Sequence, residues 1–296
     1  MPDLNLRNQP LAPRRHATLP DIGTASAAIG RLAIRSLYRE AALAPKPGLV
    51  TPFASGSHSD MDFRTFLRSL QALRPYFPAV TRCGAGLPGL RPLQQLGIAA
   101  ERDMLAATGG INTHRGAVFN LGLLCAAAGL LVAGGMPLTA DEACRAVEVF
   151  WGEAIMDGLR QADGNSHGLE VARRYGSGGA RREAASGFPA ARRVGLPAYR
   201  AAMNATGDHE LAAIQALFAL IATVEDTNLL WRGGSAGLRD GQQAAAAFLA
   251  AGGVLARDWR RHAMAIDDEF VRRRLSPGGS ADLLGVTLFL DAIERL

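Results

Sequence analysis

Residues 117–133 carry no charged side chain and only one strongly polar one, Asn120. An apolar run of this length is either a membrane span or a helix buried on all sides. Asn120 and the glycines inside the run argue against a span, as does the absence of a second such segment. The run therefore predicts a central core helix. No period-2 strand pattern accompanies it. Apolar residues instead recur at helical spacing along the chain, with Gly/Pro clusters as separators. The predicted helices are 24–43, 63–77, 91–106, 116–133, 140–159, 166–174, 196–203, 208–223, 240–251, 255–273 and 280–295. The fold class expected is all-α, a single domain over 23–296 whose Gly-rich loops line a nucleotide site. Residues 1–22 are proline-rich and read as a loose arm.

The formal charge is +5, and Lys46 is the only lysine among 32 basic residues. Arginine suits bidentate binding of phosphate and carboxylate. The arginines are scattered and not interleaved with aromatics, which argues against nucleic acid and for a polyphosphate ligand. Cys83, Cys125 and Cys144 form no disulfide framework and no CxxC pair. Together with the lack of a secretory pattern, they predict a cytoplasmic protein.

Polar residues gather in a few segments. Thr108-Gly109-Gly110-Ile111-Asn112-Thr113-His114-Arg115-Gly116 leads straight into the apolar run. A Gly-rich turn before a helix offers N–H groups and a positive dipole end to an anion. Lys46 lies between Pro45 and Pro47, where a stiff loop could fix its ammonium near a phosphate or hold it in solvent. His58, Asp60 and Asp62 offer acid/base or metal chemistry, or simply helix capping. Glu101 precedes the Thr108 turn on a face it shares with solvent. Glu183 follows the glycines at 176–179. Asp226, Asn228 and Arg232 follow an apolar helix, where an acid is costly to bury without a partner; Gly233 and Gly234 come next. Ser276, Gly278, Gly279 and Ser280 precede a last helix, with Asp282 in its first turn. No zinc spacing occurs, and Mg²⁺ is the metal that suits these carboxylates.

Taken in order, these segments resemble the triphosphoribosyl-dephospho-CoA synthase family. The matching strings are Lys46-Pro47-Gly48, Gly56-Ser57-His58-x-Asp60-Met61, Glu101-x-x-Met104, the whole 107–116 turn, Glu183 within Arg181-x-Glu183-Ala184, Asp226-Thr227-Asn228, Arg232-Gly233-Gly234 and Ser276-Pro277-Gly278-Gly279-Ser280-Ala281-Asp282. The resemblance covers about 28–293. It implies an all-helical transferase that joins ATP to 3′-dephospho-CoA and releases adenine. The product would be the precursor of the prosthetic group of malonate decarboxylase or citrate lyase. The Gly-Ser-His form, followed by Phe66-Leu67-Arg68-Ser69-Leu70, looks closer to the malonate branch. Arg115 stands where many members carry lysine.

For such a reaction His58, Asp60, Glu101 and Asp226 are the candidate catalytic groups. Asp60, Asp226 and Asp282 are the candidate metal ligands. The remaining segment residues would bind substrate or phosphate: Lys46, Thr108, Gly109, Gly110, Asn112, Thr113, His114, Arg115, Glu183, Asn228, Arg232, Gly233, Gly234, Ser276, Gly278, Gly279 and Ser280. Expected partners are small nucleotides, a downstream transferase that modifies a carrier protein, and a second copy of the chain in a homodimer. Nucleic acid and membrane are not expected. Two other readings fit the same residues: a Mg²⁺-dependent ADP-ribosyl-type glycohydrolase, and a non-catalytic helical nucleotide-binding protein.

Overall fold

The apolar run becomes α5 (Arg115–Ala133), buried along nearly its whole length. The structure, a computed structural model, describes residues 21–160 and 167–296. Around α5 lie α1 (Ile22–Ala42), α3 (Tyr76–Ala85), α4 (Leu90–Ala107) and α6 (Ala140–Arg160), with α2 (Phe63–Leu73) packed on α1 and α4. The chain continues through α7 (His167–Tyr175), α8 (Gly179–Ala185), a π-turn at Ala191–Gly195, α9 (Leu196–Thr206) and α10 (His209–Thr223). It closes with α11 (Thr227–Ala250), α12 (Trp259–Arg272) and α13 (Gly278–Ile293). No strand occurs among the described residues. Helices α5, α10 and α13 are apolar on all sides, as core helices must be. The amphipathic helices pack around them.

Small residues set the spacing. A Cβ on Gly84 of α3 would overlap the Ala126 backbone of α5, and one on Gly129 would overlap the Thr81 carbonyl. Helix α13 packs on α1, with Leu37 against Gly285. That contact brings the C-terminal end of α1 to the N-terminal end of α13.

Several boundaries differ from the sequence reading, among them the start of α12, which is Trp259 and not 255. The helix expected over 63–77 is two helices, because Pro75 cannot donate to the α2 ladder and starts α3 instead. Residues 179–185, expected as loop, form α8. Helix α11 starts at Thr227 rather than 240, so Gly233 and Gly234 are not a loop. They form a kink, with Gly234 at φ 62° and ψ −165°. Finally, Asp21 already caps α1 by accepting the Gly23 N–H, so Ile22 belongs to the helix. The rest of the arm expected at 1–22, residues 1–20, lies outside the described residues.

Candidate active site

The N-termini of α5, α11 and α13 meet at one place. Asp226 is the N-cap of α11: its Oδ1 accepts the N–H groups of Asn228 (2.9 Å) and Leu229 (3.3 Å). Its Oδ2 accepts the Ser280 N–H (2.7 Å) and hydroxyl (2.9 Å) at the start of α13. Gly278 and Gly279 leave room for this clamp. A Cβ on Gly278 would come 2.7 Å from Asn228 Nδ2, and one on Gly279 would come 3.2 Å from the Asp226 carboxyl. Asp282, one turn into α13, accepts the Ala117 N–H of α5 and fills the place of a Gly116 side chain. Among the described residues, the Gly278 and Gly279 N–H groups have no protein acceptor.

Asp226 is expected as a base or metal ligand because an acid after an apolar helix needs a partner or a function; the structure supplies partners. Asp226 is 1% exposed and both oxygens are taken by four protein donors, so it is a cap and a clamp. Burial raises its pKa, and those four hydrogen bonds work against the rise. Asp282 is different. Its pKa is raised well above the usual carboxylate range, first by burial and then by the charges of Glu40 and Asp226, against one opposing hydrogen bond.

Lys46 is neither solvent-exposed nor free. It is buried, and its Nζ donates to the Glu40 carbonyl (2.7 Å) and to Glu40 Oε1 (2.8 Å). Near Lys46 lies His114, the N-cap of α5, whose pKa falls to about 3 through burial and then the Lys46 charge. Its Nδ1 is 2.6 Å from the Ser69 hydroxyl, and its Nε2 has no hydrogen-bond partner. Ser69 is fully buried with no other acceptor among the described residues, so its O–H must donate to Nδ1. That leaves the proton of the neutral imidazole on Nε2.

A second group stands beside the first, joined by the loop before α13. His58 Nε2 meets Ser276 Oγ at 3.0 Å, and its Nδ1 meets Arg232 Nη2 at 3.2 Å. Arg232 also donates to the carbonyls of Ser57 (3.0 Å) and Arg274 (3.2 Å). Burial and then the Arg232 charge lower the His58 pKa, keeping the ring neutral. Asp60 is exposed, 3.8 Å from His58 Nδ1. The 45–60 loop is pinned here by Ser57, whose hydroxyl donates to Leu275 O (2.5 Å), and by the Gly48 N–H, which donates to Asp267 (2.8 Å). Gly233 passes under Leu275, whose Cδ2 would lie 2.6 Å from an added Cβ.

The remaining expectations divide. Thr108 caps α4, its single hydroxyl proton lying between Met104 O (2.9 Å) and Ile111 O (2.6 Å). Gly109 and Gly110, at φ 67° and 87°, complete that helix end, where the Gly110 N–H reaches Leu105 O. Asn112 accepts the Arg115 N–H (3.1 Å), so the turn consumes N–H groups as well as offering them. Thr113 Oγ1 is buried and unpartnered. Glu101 and Arg115 form an ion pair with each other, so neither stands free as a base or a phosphate cation. Glu183 accepts the Ala190 (2.7 Å) and Ala191 (3.3 Å) N–H groups and caps the π-turn; its hydrogen bonds touch none of the residues above. Asp60 does not join Asp226 and Asp282. Among the described residues no three His, Cys, Asp or Glu side chains are grouped to hold a metal. Sequence reasoning missed Glu40, Ser69 and Asn120. Only Asn120, a lone amide in an apolar helix, left a visible signal.

The protein is thus an all-helical transferase, as comparison with known proteins shows. The sequence model of the ATP:dephospho-CoA triphosphoribosyl transferase family matches residues 26–296, and the chain belongs to that family. It is 45% identical over 275 residues to a probable 2-(5″-triphosphoribosyl)-3′-dephosphocoenzyme-A synthase of Acinetobacter calcoaceticus, covering 93% of this chain and 94% of the relative. It is 45% identical over 266 residues to the synthase of that name from Klebsiella pneumoniae, covering 87% and 88%. A probable synthase from Vibrio cholerae is 38% identical over 277 residues, covering 90% and 88%. No solved structure matches the chain.

Proposed function

We propose that the protein joins ATP to 3′-dephospho-CoA, giving 2′-(5″-triphosphoribosyl)-3′-dephospho-CoA and adenine. The bond from ATP C1′ to the purine breaks, and a bond from C1′ to the 2′-oxygen of dephospho-CoA forms. The 2′-hydroxyl gives up one proton and the departing adenine takes one up. The transition state is oxocarbenium-like, and the triphosphate stays whole as a handle. The observation that carries this reading is the junction of three helix N-termini, with free N–H groups at Gly278 and Gly279.

Arg232 is exposed beside this junction and is the cation for the triphosphate. As Arg232 turns from His58 Nδ1 to the triphosphate it frees that nitrogen, and neutral His58 accepts the 2′-hydroxyl proton there, with Asp60 stabilising the imidazolium that forms. His114 Nε2–H is a neutral donor for a phosphate or purine acceptor. Asp282, crowded by Glu40 and Asp226, fits Mg²⁺, which would offset the triphosphate charge. The Gly56-Ser57-His58 form supports malonate decarboxylase over citrate lyase as the destination of the product. A downstream transferase would load it onto the carrier protein, and we place the reaction in the cytoplasm.

The test incubates pure protein with ATP, Mg²⁺ and dephospho-CoA, and follows adenine and product mass. Stoichiometric adenine and adduct, both dependent on dephospho-CoA, are expected. Adenine release indifferent to dephospho-CoA would make the protein a glycohydrolase, and nucleotide binding without adenine would make it a non-catalytic binder.

A further inference from the structure

The face of α5 that meets α13 carries Gly116 and Asn120, with Thr113 just before the helix. Gly116 and Asn120, four residues apart, share one stripe of the helix, and Thr113 lies in the turn two residues ahead of Arg115. Gly116 has no side chain, and the Asp282 carboxylate occupies that space. Helical side chains lean toward the N-terminus, so Asn120 leans from the next turn toward the same carboxylate. Asn120 is 1% exposed and its Oδ1 has no hydrogen-bond partner; Thr113 Oγ1 is also buried and unpartnered. Asp282 receives one protein donor, the Ala117 N–H, while Glu40 and Asp226 add negative charge around it. The chain's one lysine does not relieve this, because Glu40 holds its ammonium. Buried oxygens without a donor are costly. A cation would answer the carboxylate and both unpartnered oxygens together, and oxygen-only ligands select a hard divalent ion.

We propose that Asp282, Asn120 and Thr113 form a resident site for a divalent cation of the Mg²⁺/Mn²⁺ class, filled before nucleotide arrives. The inference rests on the reading of Asp282 as the metal carboxylate and adds two neutral ligands from α5. Asn120 then has a purpose inside an otherwise apolar helix.

Mn²⁺ is the probe. The full-length protein, stripped with chelator, is titrated with Mn²⁺ alone, and the free ion is counted by electron paramagnetic resonance. Binding of about one equivalent is expected. Asn120→Ala should weaken it about tenfold or more. Asp282→Asn should weaken it further, and Asp60→Asn should leave it unchanged. Asn120→Asp adds a carboxylate and should tighten binding severalfold. Circular dichroism of the metal-free variants confirms that each is folded, and the gain in Asn120→Asp keeps the test decisive where Asn120→Ala is unstable. Absence of Mn²⁺ binding, or binding indifferent to both Asn120 substitutions, overturns the site. Product formation is measured separately. A protein that forms the adduct but binds no Mn²⁺ alone loses the resident site and keeps the transferase reading.

Discussion

At the scale of the residue, Asp226 and Asp282 show why one kind of side chain must be argued twice. They share a junction and both have raised pKa values, yet only Asp226 has its charge answered by donors. Asp226→Asn keeps one oxygen for the α11 cap but turns an amide N–H₂ toward the Ser280 N–H. A buried mismatch of that kind costs about 2–3 kcal/mol, so the variant should melt lower. Asp282→Asn should do the opposite. A carboxyl with a raised folded pKa stabilises the protein below its unfolded pKa, near 3.8, and loses that contribution as pH rises through the folded value. At neutral pH the charged form is a burden, so the metal-free Asn variant should melt a few degrees higher while losing product formation. Melts at pH 7 decide both, and a lower-melting Asp282→Asn would show that the charge is compensated. His114 has the reverse sign. Its folded pKa, about 3, lies below the ordinary 6.5, so stability is full above 6.5 and falls as pH drops toward 3. The slope from this group is about 1.4 kcal/mol per pH unit. The difference between wild type and His114→Gln in acid melts should show that slope, and parallel curves would refute it.

At the scale of the element, helix ends govern the site. Most helices were legible because apolar residues at 3.6 spacing have few other uses; α5 and α10 were read within a residue or two. The unread elements follow from tertiary contacts. Helix α8 is short and Gly-flanked, and it holds because Glu183 caps the turn that follows it. The first half of α11 hid behind Gly233 and Gly234, which read as loop but kink a helix beneath Leu275. The site was legible as a set of segments, because glycines and polar residues crowd into a few strings. Their roles were not legible: capping and catalysis draw on the same acids, and only geometry separates Asp226 from Asp282. Glu40 was hidden for another reason, since nothing local marks it as the partner of Lys46. That pair ties the end of α1 to the loop after it. Lys46→Met alone leaves a buried Glu40 charge unanswered and should cost about 3–5 kcal/mol. Adding Glu40→Gln should recover most of the loss. Equal instability in the single and double variants would show that the cost comes from the Lys46 stem rather than from its charge.

At the scale of the whole molecule, the junction of α5, α11 and α13 joins parts of the chain far apart in sequence, Asp226 to Ser280 across 54 residues and Ala117 to Asp282 across a longer stretch. Side chains hold it from within: Asp226 clamps α11 to α13, and Asp282 joins α13 to α5. The positive helix ends face carboxylates there, Asp226 on α11 and α13 and Asp282 on α5, and the Gly278 and Gly279 N–H groups are left for an anion. A triphosphate on those N–H groups, with its cation against Asp282, would couple the three helices. Ligand that binds only the folded state stabilises it by RT ln(1 + [L]/Kd), about 2.7 kcal/mol at a hundredfold excess over Kd. MgATP should therefore raise the melting temperature of the whole chain by several degrees in a single transition. Inorganic tripolyphosphate with Mg²⁺ should give much of the same shift, because the handle is the triphosphate and not the base. Arg232→Ala should lose a large part of it at fixed ligand, a charged hydrogen bond being worth about 1.5–3 kcal/mol. A shift with MgATP but none with tripolyphosphate would move the recognition to the adenosine. No shift with either, in a protein that still melts cooperatively, would remove the three-helix junction as the nucleotide site.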